Sequence, residues 1–193
     1  MSDNEITVLA TLLITVPVFI VLLRMRRREA QVLIAEARKL GWSNVRAVGD
    51  KVSGDFQGHP VHFGVSMDDG ETGRTAAMKL SERNLPLLVI TTVPSPLAID
   101  GWWRRVTGKE WPPLMTTNDP IVNANFAIYT SDAAAAQRIL NDPPTLKSLK
   151  NVIARDGDRL MIDADGIELQ SLGHTLTETF EAVNRAHIAV RLT

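Results

Sequence analysis

Histidine and carboxylate side chains carry most acid–base and metal chemistry, and this chain gathers them in a few places. His59 and His62 are the only close pair of histidines. Imidazoles can hold zinc, but residues three apart on a strand face opposite sides, and His59 reads as part of a turn. The pair is therefore assigned to a turn and an exposed strand position. Asp68, Asp69 and Glu71 share a Gly-containing loop, and Asp163 and Asp165 precede Gly166. A calcium loop of the EF-hand kind needs an acid at its first position and a bidentate Glu at its last. Met161 stands at that first position and the Glu is missing, so both acidic groups read as turns. His174 lies just ahead of the last helix. His187 falls on that helix's apolar face, where a hydrogen-bonded, partly buried imidazole is expected.

Nucleotide and acyl chemistry have no motif here. Gly108-Lys109 is followed by Glu110, and Trp103 stands where a phosphate loop needs its first Gly. No Gly-x-Gly-x-x-Gly follows a strand, and no Gly-x-Ser-x-Gly elbow exists. With no Cys in the chain, a disulfide framework, a thiolate metal site and a Cys nucleophile are excluded. The expectation is a chain that is not an enzyme, with no catalytic residue, no metal and no cofactor.

One cluster stands out from this background. Trp102-Trp103-Arg104-Arg105 is followed by Lys109 and Trp111, placing three of the four Trp within ten residues. An adjacent Trp pair does not easily turn both rings inward. Trp with Arg suits a membrane or protein interface, where ring faces pack and polar edges stay wet. These residues are read as an interface with lipid or a partner subunit.

Nucleic acid is a poor partner. The chain has 21 Lys+Arg against 22 Asp+Glu, for a net charge of -1. Four of those cations and two of the acids precede residue 29, so the remainder is more acidic still.

The elements that position these residues begin with an apolar run. Ile6 to Leu23, with Leu13 and Pro17 inside it, is eighteen residues without a charge. As a helix it spans roughly 27 Å, close to a bilayer's hydrocarbon core. Pro17 is tolerated in a membrane helix. Arg24, Arg26, Arg27 and Arg28 follow, whereas no Lys or Arg precedes the run. That asymmetry places the N-terminus outside and the rest of the chain in the cytoplasm, and the same Arg residues suit anionic headgroups. The expected organisation is a single-pass anchor over residues 1–28 and a cytoplasmic domain over 29–193.

Within the domain, Glu29 to Leu40 continues as helix and Gly41 ends it. Val52–Phe56 and Val61–Val65 read as a hairpin, with Thr75–Ser81 and Leu87–Val93 as further strands. Pro94 to Asn125 reads as one long connection. Phe126–Thr130 is a strand, and Ser131 is expected to cap a helix over Asp132–Leu140, which Pro143-Pro144 ends. Thr145–Arg155 reads as helix. Arg159–Ile162 and Ile167–Leu172 read as a hairpin turning at Asp165-Gly166. Thr175 with Glu178 forms a capping box for a last helix with the apolar face Leu176, Phe180, Val183, His187 and Val190. Strands early and helices late predict an α+β fold with a mainly antiparallel sheet and C-terminal helices.

Asn118-Asp119-Pro120, Asn125-Phe126-Ala127-Ile128-Tyr129 with Ser131-Asp132, the Ile139-Leu140 helix end and the Asp165-Gly166 hairpin carry a resemblance over residues 116–193. This stretch resembles a group of functionally uncharacterised bacterial membrane-anchored α+β domains. That group shows Gly-Asp-Pro and then Phe-Asp, where this chain reads Asn-Asp-Pro-Ile-Val-Asn. The resemblance implies no catalytic residue. The expected function is a non-catalytic accessory subunit on the cytoplasmic face of a larger bacterial inner-membrane complex, of the photosynthetic or respiratory kind. Its partners would be membrane subunits and the bilayer. The alternatives are a membrane-tethered ligand-binding or sensor domain and, behind it, a hydrolase.

Overall fold

Helix α1 runs unbroken from Asp3 to Lys39 with Pro17 inside it. No glycine occurs before Gly41, so Pro17 is the strongest helix breaker in this stretch. Its end is a Schellman motif. Trp42 N–H donates to Ala37 C=O at 3.1 Å and Gly41 N–H to Arg38 C=O at 3.0 Å, with Gly41 at φ 86°. In this computed structural model, residues 3–67, 74–92, 112–155 and 157–191 are described, with side chains from Thr15 onward.

The strands are β1 (Ser43–Val48), β2 (Lys51–Phe56), β3 (His59–Met67), β4 (Arg74–Ser81), β5 (Leu88–Thr92), β6 (Leu114–Met115), β7 (Phe126–Thr130), β8 (Arg159–Asp163) and β9 (Gly166–Leu172). Among the described residues they form one sheet in the order β1-β2-β3-β4-β9-β8-β5-β7-β6. Every pairing is antiparallel. The helices after α1 are α2 (Pro120–Asn125), α3 (Ala133–Asn141), α4 (Pro143–Val152) and α5 (Leu176–Arg191). The expected α+β class, with its antiparallel sheet and C-terminal helices, is the one observed.

One sheet face carries the core. Alternate residues line it: Val52 and Phe56, Val61 and Phe63, Met78 and Leu80, Ile167 and Leu169, Leu160 and Ile162, Leu88 and Ile90. They meet Ile139 of α3, Leu149 of α4, Phe180 and Val183 of α5, and Ala37 near the end of α1. Phe180 stacks edge-to-face on Trp42 and Phe56, with centroids 5.5 and 4.8 Å apart.

Several local expectations shift. The cap of α3 is Asp132, not Ser131: its Oδ1 accepts Ala135 N–H at 3.0 Å. Helix α4 starts at Pro143, not Thr145, and ends at Val152. Pro143 and Pro144 stop α3 but also open α4, because the first helical positions need no N–H partner. Asp142 caps it through Thr145 N–H at 2.9 Å. The second hairpin turns on Ala164-Asp165, since Gly166 already pairs with Asp163. Strand β1 was not expected at all. The stretch read as one connection contains β6 and α2 in its described part.

Candidate functional site

The β3–β4 register pairs Val61 with Leu80. Carried two residues outward, it sets His59 opposite Glu82 on the same core-facing side. The β2–β3 hairpin fixes His59 there: Gln57 and Gly58 both take positive φ (52° and 85°), and Phe56 pairs with His59. Helix α5 crosses this face and contacts β4. Its buried stripe brings His187 down between Val183 and Val190.

His59, Glu82 and His187 thereby converge, with one donor atom from each within 4.8 Å of the others. His187 is 1% exposed, and the other two are half-buried. His187 Nε2 is hydrogen-bonded to Glu82 Oε2. Arg191, one turn further along α5, reaches Glu82 Oε1 through Nε at 3.1 Å. The imidazoles of His59 and His187 meet edge-to-face with centroids 5.3 Å apart. Burial holds the His187 imidazole below its usual 6.5; Glu82 opposes this, while His59 and Arg191 add to it. Two imidazoles and a carboxylate are a donor set that zinc accepts.

The expected hydrogen bond at His187 is present. The reading of His59 as a turn residue is corrected, since it opens β3 on the core face. Glu82 and Arg191 were not anticipated. The available signal was strand parity, which puts Leu80 and Glu82 on one side, but it identifies a site only once β4 is paired with β3.

His62 points to the other face and lines a groove of ≈ 380 Å³ with Arg46, Lys51, Lys79 and Glu168. His174 Nδ1 lies 3.6 Å from Glu178 Oε2. Asp163 makes a turn by accepting Asp165 N–H at 2.8 Å. Trp102, Trp103, Arg104, Arg105 and Trp111 lie outside the described residues, as do Asp68, Asp69 and Glu71. The side chains of Ile6 and Leu13 do too.

Pro17 sits within α1, and Leu23, Arg24, Arg26, Arg27 and Arg28 are exposed. Arg26 lines a cavity with Glu29, Leu33, Asp50 and Val65. Among the described residues no helix is long and apolar enough to cross a membrane. The described side chains take in only the second half of the apolar run, from Thr15.

No family model, curated protein or solved structure matches this chain.

Proposed function

We propose that the chain is a membrane-tethered, non-catalytic accessory subunit whose N-terminal helix anchors an α+β domain to a larger bacterial inner-membrane complex. One observation carries the reading. Every side chain from Thr15 to Glu29 is exposed, including Val16, Val18, Phe19, Ile20, Val21, Leu22 and Leu23. The same helix becomes core only near its end, at Ala37. The part from Val16 to Leu23 carries no polar side chain and is exposed among the described residues, and an exposed apolar helix of this kind favours lipid or other membrane helices over water. Residues 6–23 supply the length for a span. Arg24, Arg26, Arg27 and Arg28 favour a cytoplasmic domain with the N-terminus outside. Trp102, Trp103, Arg104, Arg105 and Trp111 are the proposed contact with lipid or a partner subunit, and the energy-transducing complexes are the proposed class of assembly.

The absence of native Cys makes the topology directly testable. Single cysteines are introduced by Ser2→Cys and, separately, Thr193→Cys, and intact spheroplasts are treated with a membrane-impermeant maleimide. Ser2→Cys is expected to label in intact spheroplasts, and Thr193→Cys only after lysis. A chain that leaves the membrane in alkaline carbonate overturns the anchor. A lone monomer after mild-detergent affinity purification overturns the accessory-subunit reading.

A further inference from the structure

We propose that His59, Glu82 and His187 form a binding site for one divalent transition-metal ion of the zinc class. The inference is independent of the anchor reading, because His59 opens β3, Glu82 directly follows β4 and His187 lies on α5.

The first argument is the donor set. Two imidazole nitrogens and one carboxylate oxygen, from residues far apart in sequence, meet within 4.8 Å. Zinc sites use these ligand types, and three protein ligands leave a position for water or another group. Exposed acidic clusters offer nothing comparable: here one imidazole is buried and the other two groups are half-buried.

The second argument is how Glu82 is held. Arg191 occupies Oε1 at 3.1 Å, while Oε2 meets the His187 imidazole. A hydrogen bond on the outer oxygen of a ligating carboxylate is the usual second layer of a metal site, and it orients the inner oxygen. Arg191 also supplies the counter-charge for Glu82. Neither histidine is needed for that purpose, yet two converge on it.

The third argument is mechanical. The ligands come from the start of β3, the residue just past the end of β4, and a helix that packs on the sheet. A tetrahedral zinc ion sets its donor atoms about 3.3 Å apart. Binding therefore draws His59 inward by roughly an ångström, while Glu82 Oε2 and His187 Nε2 give up their hydrogen bond and move apart to admit the metal. His59, at the start of β3, and Glu82, just past the end of β4, are both half-buried, so such movements disturb little packing. The ion would clamp α5 to the sheet.

The test uses the full-length chain in detergent, stripped with a chelator. It is titrated with Zn²⁺ against a chromogenic competitor, and separately with Co²⁺ followed by visible absorption. One equivalent is expected to bind at about micromolar affinity or tighter, with Co²⁺ bands typical of nitrogen and oxygen ligands. His59→Asn and Glu82→Gln are each expected to weaken binding at least ~10-fold. Both sites are half-buried, and circular dichroism checks that each variant folds. His62→Ala, on the opposite face, is expected to leave affinity unchanged. Absence of stoichiometric binding to folded protein overturns the proposal. So does binding that survives both His59→Asn and Glu82→Gln, or that His62→Ala abolishes.

Discussion

Glu36, on the last turns of α1, accepts two hydrogen bonds from Thr177 at the start of α5: the backbone N–H at 3.2 Å and the hydroxyl at 2.5 Å. The residues are 141 positions apart. The first N–H groups of a helix have no partner within it. In α5, Thr175 Oγ1 accepts the Glu178 N–H at 3.3 Å, and Glu178 Oε2 accepts the Thr175 N–H at 2.9 Å. Glu36 serves the donor between them. The end of α1 thus helps cap α5, and the helix proposed as anchor is tied to the domain by more than chain connectivity.

Replacing Glu36 should loosen that tie. Glu36→Ala leaves the Thr177 N–H without its acceptor and removes a negative charge from a helix N-terminus. A loss of about 1 kcal/mol is expected, within the range of cap deletions. Urea unfolding in detergent, followed by circular dichroism, reads it. Glu36→Gln keeps an acceptor oxygen and should lose less. Equal losses would show that charge, not the hydrogen bond, is what matters.

The capping box was legible in sequence because its two residues are three apart and answer to local geometry alone. The hairpins were legible for the same reason, and the apolar face of α5 follows from helical period. What was not legible depends on pairing at long range. His59 looked like a turn residue until β3 was seen to begin there. Glu82 had no periodic signal of its own, and its position follows from a register that no short window contains. Strand β1 escaped because it is an edge strand with a mostly exposed pattern, so it lacks the apolar alternation that marks a half-buried strand. At Ser131-Asp132 two good capping residues compete. Asp132 takes the role as Thr130 Oγ1 receives its N–H at 2.9 Å.

Asp158 should be among the most sensitive positions for stability. It is 1% exposed. Its Oδ2 accepts the N–H groups of Ala154 and Arg155 at 3.1 and 2.8 Å, and its Oδ1 accepts that of Leu172 at 2.8 Å. One carboxylate thereby joins the exit of α4 to the end of β9. Asp158→Ala strands three backbone donors, and a loss of about 3 kcal/mol is expected. Asp158→Asn retains only one acceptor oxygen and should fall between wild type and Ala. A Tm comparison of the three proteins decides the order.

Gly166 is required by close approach. It has φ 144°, and an added Cβ would meet the Leu80 carbonyl oxygen well inside contact distance and lie 3.0 Å from Ser81 Cα. These are the residues that lead into Glu82. Gly166→Ala should therefore cost about 2 kcal/mol or more by forcing β4 and β9 apart. Gly49, whose Cβ would meet nothing within 4 Å, provides the comparison. Gly49→Ala carries only the strain of φ 63° and should lose less in the same denaturation assay.

Acid sensitivity should run partly through Glu178. Its carboxyl is held below the usual 4.5, first by the backbone hydrogen bond from Thr175, then by the Thr175 hydroxyl, with His174 adding a smaller lowering and burial opposing. The unfolded chain thus takes up the proton at a higher pH than the folded one. The stabilisation is fully present above about pH 4.5 and is lost as pH falls through the lower folded value. Glu178→Gln should lower Tm near neutral pH and flatten its decline between about pH 5 and about pH 3. An unchanged decline in the variant would place the acid sensitivity elsewhere.

The proposed anchor makes the sharpest prediction. Leu13 falls near the middle of the uncharged run from Ile6 to Leu23. An Arg at the centre of a membrane helix costs about 3 kcal/mol on insertion scales, enough to shift a segment's insertion equilibrium by about a hundredfold. Leu13→Arg should therefore move much of the chain from the carbonate-resistant membrane fraction to the supernatant or to degradation. Leu23→Arg, at the end that already carries Arg24, should be tolerated, because a terminal Arg can snorkel to the headgroups. If α1 were instead an apolar contact for a water-soluble partner, its exposed residues from Val16 to Leu23 would matter at least as much as Leu13. The two substitutions would then act alike. Fractionation of both variants beside wild type separates a lipid-depth effect from a contact effect.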